Sequence, residues 1–216
     1  MKYKRQDIKK YYDLTGKFQD SQSFYEKPAE NYLLRTLHFG TARHIVELGS
    51  GTGSFAQTLL SRCLPLKTRY TGFDVSSTMV EMASKKIQHF GPRAQVYRVD
   101  ACKSLPLKDN SIDVMFANFF LDLLPGEDIK RIISNASQYL KKGGLLCIAN
   151  ITYGTSGTSK YVMKVWQLIH GIAPFSVGYC RPVDLGNYLS GQKWRSKEYS
   201  YCSYGIEVQV IVNKLH

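Results

Sequence analysis

The sequence has little with which to staple, cage or span. Its five cysteines, Cys63, Cys102, Cys147, Cys180 and Cys202, are an odd number without CxxC spacing. Neither a disulfide framework nor a zinc site is expected, and a reducing compartment follows. His38, His44, His89 and His170 show no HxxxH pairing, and no metal is assigned. No run approaches the roughly 18 apolar residues that a bilayer crossing needs, and the opening MKYKRQDIKKYYDL lacks the apolar stretch of a signal peptide. The chain is therefore expected in the cytoplasm, at most touching a membrane. Internal repeats and low-complexity tracts are missing too. With 216 residues, 44% hydrophobic and 21% charged, one sizeable core in a single domain is the expectation, and disorder is excluded.

Acid is the scarcer charge. Against 29 Lys and Arg stand 17 Asp and Glu, a net charge of +12, which alone suits nucleic acid, a membrane surface or an acidic ligand. Its distribution narrows the choice. Residues 1–44 hold 9 basic and 5 acidic groups, 45–150 hold 13 and 9, and 151–216 hold 7 and 3, so each section is +4. The only local concentration is the first ten residues, and no RGG, RS or Lys-rich tail marks a nucleic-acid partner. Lys2, Lys4, Arg5, Lys9 and Lys10 lie beside Tyr3, Ile8, Tyr11 and Tyr12, so residues 1–12 are read as a basic amphipathic segment able to rest on anionic lipid.

What is present is alternation. Strands are expected at 44–48, 69–73, 94–99, 111–118 and, after the Lys-Lys-Gly-Gly turn, 144–151, with helices at 55–63, 76–90 and 127–140 between them. Strands separated by such helices imply an α/β fold with a mostly parallel sheet covered on both faces. Residues 1–40 read as helical, with Pro28 in the first turn of a helix running to about Phe39. After Thr152 come helical stretches near 159–170 and 182–189, then strands near 194–203 and 206–212 joined by Tyr204-Gly205. So close a pair cannot be a parallel crossover, and one closing strand must run antiparallel.

The most informative segment is Val46-Glu47-Leu48-Gly49-Ser50-Gly51-Thr52-Gly53-Ser54-Phe55. A strand entering alternating glycines and then a helix brings backbone close to a ligand at the carboxyl edge of a parallel sheet. The spacing is GxGxG rather than GxGxxG, and Glu47 two residues upstream would repel a diphosphate and favour positive charge. Asp74 ends the second strand, where an open sheet uses a carboxylate for ribose hydroxyls, and Asp100 ends the third, where it could accept from an exocyclic amine. A ligand with an adenine, a free ribose and a cationic end suits all three acids.

The series VELGSGTG, GFDVSSTMVEMA, VDA, LPLKDNSIDVMFANF and LKKGG resembles, in order and spacing, the class I S-adenosylmethionine-dependent methyltransferases over roughly residues 40–150, and most nearly the ubiquinone/menaquinone methyltransferase-like group. The resemblance implies a Rossmann-like fold with a seven-stranded sheet containing one antiparallel strand. It divides residues 1–216 into a helical cap (1–40), a cofactor core (41–151) and acceptor-side helices with closing strands (152–216). It implies S-adenosylmethionine as cofactor. Glu47 would serve the methionine ammonium, Gly49, Ser50, Gly51, Thr52 and Gly53 would wrap the methionine moiety, and Asp74 would take the ribose diol. Val75 and Met79 would face the adenine, Asp100 and Ala101 would bind its edge, and Asn118 would lie near the sulfonium.

The acceptor is less legible, and no catalytic residue is assigned. Asp122 stands where quinone methylases carry Arg, so it is either an anchor or base for an amine or the cap of the helix after Pro125. Of 15 tyrosines, five fall in residues 1–44 and seven in 151–216, which puts Tyr11, Tyr12 and Tyr25 forward as residues that close the site. His170 and Arg181 are the remaining candidates for the acceptor pocket. A small or lipid-like acceptor, quinone-like or a phospholipid amine, is expected. RNA or protein methylation is the alternative, although the fourth strand ends in Asn118-Phe119-Phe120 and not in [ND]PP[YF], and a non-catalytic cofactor-binding scaffold is the other.

Overall fold

In the computed structural model, which describes residues 4–16, 23–190 and 194–216, β4 (Ile112–Asn118) shows why the sheet is covered on both sides. Ile112, Met115 and Ala117 pack into one apolar cluster while Val114 and Phe116 pack into the other. A strand that must fill both faces reads as a continuous apolar run instead of alternating. β1 (His44–Leu48), β2 (Arg69–Asp74) and β3 (Ala94–Arg98) join it in parallel, followed by β5 (Leu140–Ile151), β6 (Trp194–Ser203) and β7 (Ile206–Leu215).

The sheet order is β3-β2-β1-β4-β5-β7-β6, with β7 antiparallel to both neighbours and the other six strands sharing one direction. The order reverses between β1 and β4, and a crevice opens at such a point beyond the strand ends. α2 (Ser23–Thr36), α3 (Ser54–Arg62) and α6 (Gly157–Ile172) cover one face, and α5 (Gly126–Tyr139) covers the other. α4 (Ser77–Ile87) packs on β3 and meets α1 (Arg5–Thr15). Ser76 caps α4 by accepting from the Met79 amide.

Three boundaries depart from expectation for local reasons. Pro28 is the sixth residue of α2, not a first-turn residue. It cannot donate to the Phe24 carbonyl, which instead accepts from Ser203 Oγ at 3.2 Å. The neighbouring Tyr25 carbonyl accepts from Tyr201 Oη, so β6 supplies hydroxyls where the helix is interrupted. β5 begins at Leu140 and takes the Lys-Lys-Gly-Gly segment as an irregularity, the register jumping from Leu140 opposite Ile112 to Leu145 opposite Val114. The helix expected near 182–189 shrinks to α7 (Gly186–Leu189), because Pro182 and Val183 run extended alongside Ile151.

Candidate cofactor and acceptor site

Strand alternation decides where Glu47 points. Ile45 and Glu47 share the face covered by α2 and α3, and there Tyr70 of β2 donates its hydroxyl to Glu47 Oε2 at 2.5 Å. The carboxyl is 2% exposed. Burial pushes its pKa up to about 8, with Glu30 and Asp74 adding to the rise and the Tyr70 hydrogen bond opposing it. An entering cation would reverse that penalty. Beyond β1 the chain turns through Gly49, Gly51 and Gly53, all at positive φ. A Cβ on Gly53 would sit 2.8 Å from the Ala83 Cα of α4, whereas one on Gly51 meets nothing within 4 Å. The first glycine lets two helices touch, and the second leaves room for a ligand.

Asp74 holds this loop in place. Its Oδ2 accepts from the Gly51 amide at 3.0 Å and its Oδ1 from the Ser76 amide at 2.9 Å, leaving a lone pair on each oxygen for a diol. Burial raises its pKa. Asp100 accepts from the Cys102 amide and from Arg5 of α1 at 3.2–3.3 Å, and Arg5 also pairs with Asp128 at 3.6 Å. Glu47, Gly49, Ser50, Gly51, Thr52, Asp74, Val75, Met79, Asp100, Ala101 and Asn118 all line one cavity, while Gly53 lies just behind the loop against α4. Its empty space is about 1180 Å³, counting the solvent at its mouth. Ser50 Oγ and both polar atoms of the Asn118 side chain are buried without a hydrogen-bond partner. Unsatisfied polar atoms facing a cavity are what a polar ligand would satisfy, and with the open space at Gly51 they fit S-adenosylmethionine.

The acceptor side corrects several expectations. Tyr12 does line the cavity, its hydroxyl donating to the Gly178 carbonyl at 3.1 Å. Tyr11 lies outside it, edge-on to Tyr12 and Tyr179. Tyr25 is one layer back, 1% exposed and edge-on to Phe119 and Trp166. Asp122 neither lines the cavity nor caps α5, whose N-cap is Pro125. It is fully buried, accepts weakly from the Ile151 amide at 3.4 Å, and burial lifts its pKa to about 7. Arg181 is a clip, donating Nη2 to the Leu124 carbonyl at 2.6 Å and its amide to the Asp122 carbonyl. His170 is bonded to the Tyr179 backbone, away from the cavity. Of the basic N-terminal segment, Ile8 and Tyr12 line the cavity and Arg5 is paired with Asp100, while residues 1–3 lie outside the described residues.

Sequence reasoning missed the residues that complete the wall. Glu26 and Glu30, one turn apart on α2, face the cavity beside the buried stripe of Tyr25, Ala29 and Leu33. Their i,i+4 spacing next to an apolar stripe was the available signal. Phe119, at φ 49°, and Phe120 add to the lining with Leu123 and Leu124. No pattern announces a left-handed Phe, which costs roughly 1–2 kcal/mol of local strain.

Residues 45–144 match the family described as "Methyltransferase domain". The chain is 30% identical over 107 residues, 48% of its length, to the tRNA N(3)-methylcytidine methyltransferase Mettl2 of Drosophila melanogaster. It is also 30% identical over 135 residues, 61% of its length, to the demethylmenaquinone methyltransferase of Lactiplantibacillus plantarum. The matched parts span 33% and 53% of those two proteins. In structure it superposes with TM-score 0.76 and 14% identity on a chain from the complex of the Haloferax volcanii Trm112 methyltransferase activator with a methyltransferase, covering 97% of this chain and 98% of that one. The sheet order and the glycine loop agree with the family match, so residues 45–144 carry a methyltransferase domain on a Rossmann-like sheet, and its buried acids and open loop fit S-adenosylmethionine as cofactor.

Proposed function

We propose that the chain methylates an amine on a small or lipid-like acceptor held between α1, α2 and the turn after β4. The observation that carries this reading is the composition of that wall. Tyr12, Phe119, Phe120, Leu123 and Leu124 make it apolar, and Glu26 and Glu30 add two carboxylates to those of Glu47, Asp74 and Asp100. Arg5, the one cation in the lining among the described residues, is already paired with Asp100. A phosphate polymer would meet repulsion here, whereas an ammonium meets the charge it needs.

S-adenosylmethionine supplies a methyl carbon already activated by its sulfonium. Glu47 and the loop from Gly49 to Gly53 would hold its methionine end, Asp74 its ribose, and Val75, Met79, Asp100 and Ala101 its adenine, with Asn118 beside the reacting centre. The remaining tasks fall to the wall. Tyr12, pinned to the Gly178 carbonyl, and the two phenylalanines exclude water. Glu26 and Glu30 bind the acceptor as an ammonium and receive the proton it must lose before its nitrogen can attack. On this reading residues 1–216 act as one unit, 1–40 capping, 41–151 holding cofactor and 152–216 closing the acceptor side.

Incubation with labelled cofactor and separate lipid, metabolite and RNA extracts tests the reading. Label in amine-bearing lipids or small amines is expected. Label confined to RNA would overturn it in favour of the activity named for the Drosophila relative.

A further inference from the structure

α6 wears its apolar residues on two opposite sides. Ser159, Met163 and Trp166 turn inward, Met163 and Ser159 being fully buried. Opposite them, Tyr161, Val165, Leu168 and Ile172 are 71%, 38%, 63% and 78% exposed. At about 100° per residue these four fall within an arc of about 60°, and Phe175, 58% exposed, follows three residues after the helix end. The tip of the β6–β7 hairpin adds Tyr204, 85% exposed, where Gly205 packs against Val162. Nothing in the core requires an outward apolar row of this kind, and such rows mark surfaces of interaction.

The charge around the row identifies what it meets. No Asp or Glu occurs between Asp128 and Asp184, while seven Lys and Arg do. Two of them, Lys160 and Lys164, are exposed on α6 and flank the stripe on one side. An apolar row edged by lysines, with aromatic residues and no acid on its own helix, is the pattern of a helix lying in the headgroup region of an anionic bilayer, its lysine stems reaching up to the phosphates. We propose that α6 with Phe175 and Tyr204 docks this protein on an anionic lipid surface. The face thus differs from the basic N-terminal segment, of which Ile8 and Tyr12 line the cavity. It also lies close to the site: Trp166 of α6 donates to the Cys180 carbonyl and touches Tyr25, which touches Phe119 of the cavity wall. The proposal rests on the lipid-like acceptor reading, for which it supplies a source of acceptor.

Vesicle co-sedimentation of the full chain tests it, with calorimetric titration of the cofactor run in parallel. Binding to phosphatidylglycerol-containing vesicles, and much weaker binding to pure phosphatidylcholine, is the expected result. Leu168→Ser with Ile172→Ser should lower that binding at least about tenfold, and Lys160→Gln with Lys164→Gln about five-fold per lysine on anionic vesicles alone. Cofactor affinity should be unchanged in both. Absence of vesicle binding, or binding that the serine variant leaves intact, overturns the proposal. Self-association abolished by the same serines, without vesicle binding, assigns the face to a second copy of the chain and overturns it as well. If docking fails while the cofactor still binds and amines are labelled, the acceptor reading survives; if docking holds while only RNA is labelled, that reading falls and the surface stands.

Discussion

The two walls of the cavity are built differently. On one side Glu47, Asp74 and Asp100 lie at or just past the ends of β1, β2 and β3, placed by parallel strand register, with Glu47 held by the Tyr70 hydroxyl of the neighbouring strand and Asp74 and Asp100 by the amides of Ser76 and Cys102 two residues on. On the other, Tyr12 and Glu26 come from helices distant in sequence from Phe119 and Leu124, and are held by contacts such as Tyr12 to Gly178 and Tyr201 to Tyr25. The first wall is a consequence of local geometry repeated along a sheet. The second exists only after the helices have docked, so it is free to vary in what it binds while the first stays committed to the cofactor.

The sharpest way to probe the difference is Glu47. Its folded pKa of about 8 lies above the unfolded value, so the folded state keeps a proton that the unfolded chain loses. Stability is therefore present at low pH and falls as pH rises through that window, by an amount on the order of a few kcal/mol. Glu47→Gln should flatten the fall between pH 5 and 8 in thermal melts without ligand, yet weaken cofactor binding. An unchanged pH profile would show that the carboxyl is ionised in the empty cavity.

Asp74→Ala comes next, removing the acceptor for two hydroxyls and the anchor of the Gly51 amide. Cofactor affinity measured by calorimetry should drop about a hundredfold. The two loop glycines should then separate stability from binding. Gly53→Ala collides with the α4 backbone and should cost about 2–3 kcal/mol in denaturant unfolding. Gly51→Ala should cost only about 1 kcal/mol while still obstructing the cofactor. The smallest effect belongs to the opposite wall. Glu26→Gln with Glu30→Gln should raise the KM for an amine acceptor about tenfold and leave the cofactor affinity within about twofold; equal losses in both would erase the division between the walls.

How much could be read beforehand follows the same division. The strands near 44 and 112 were legible because a strand buried on both faces is largely apolar, those near 69 and 94 because they alternate with helical patterns, and the glycine spacing after β1 has few other uses. Pro28 misled because a proline within a helix is tolerated only when its orphaned carbonyl finds another donor, here Ser203 from the far end of the chain. Asp122, read as an amine anchor, a base or a helix cap, and Arg181, read as an acceptor-pocket residue, instead hold the turn after β4, through bonds to Ile151 and Leu124. An isolated charged residue looks the same in sequence whether it faces a substrate or a carbonyl.

By itself the sequence determined the sheet, the glycine turn and the three strand-end acids, because each depends on residues only a few positions apart and on the two-residue period of a strand. Only the tertiary structure decided that Arg5 reaches Asp100, that Glu26 and Glu30 look across at Glu47, and that the outer face of α6 meets no core. Those relations join elements whose separation along the chain carries no information about distance in space, and packing alone brings them together.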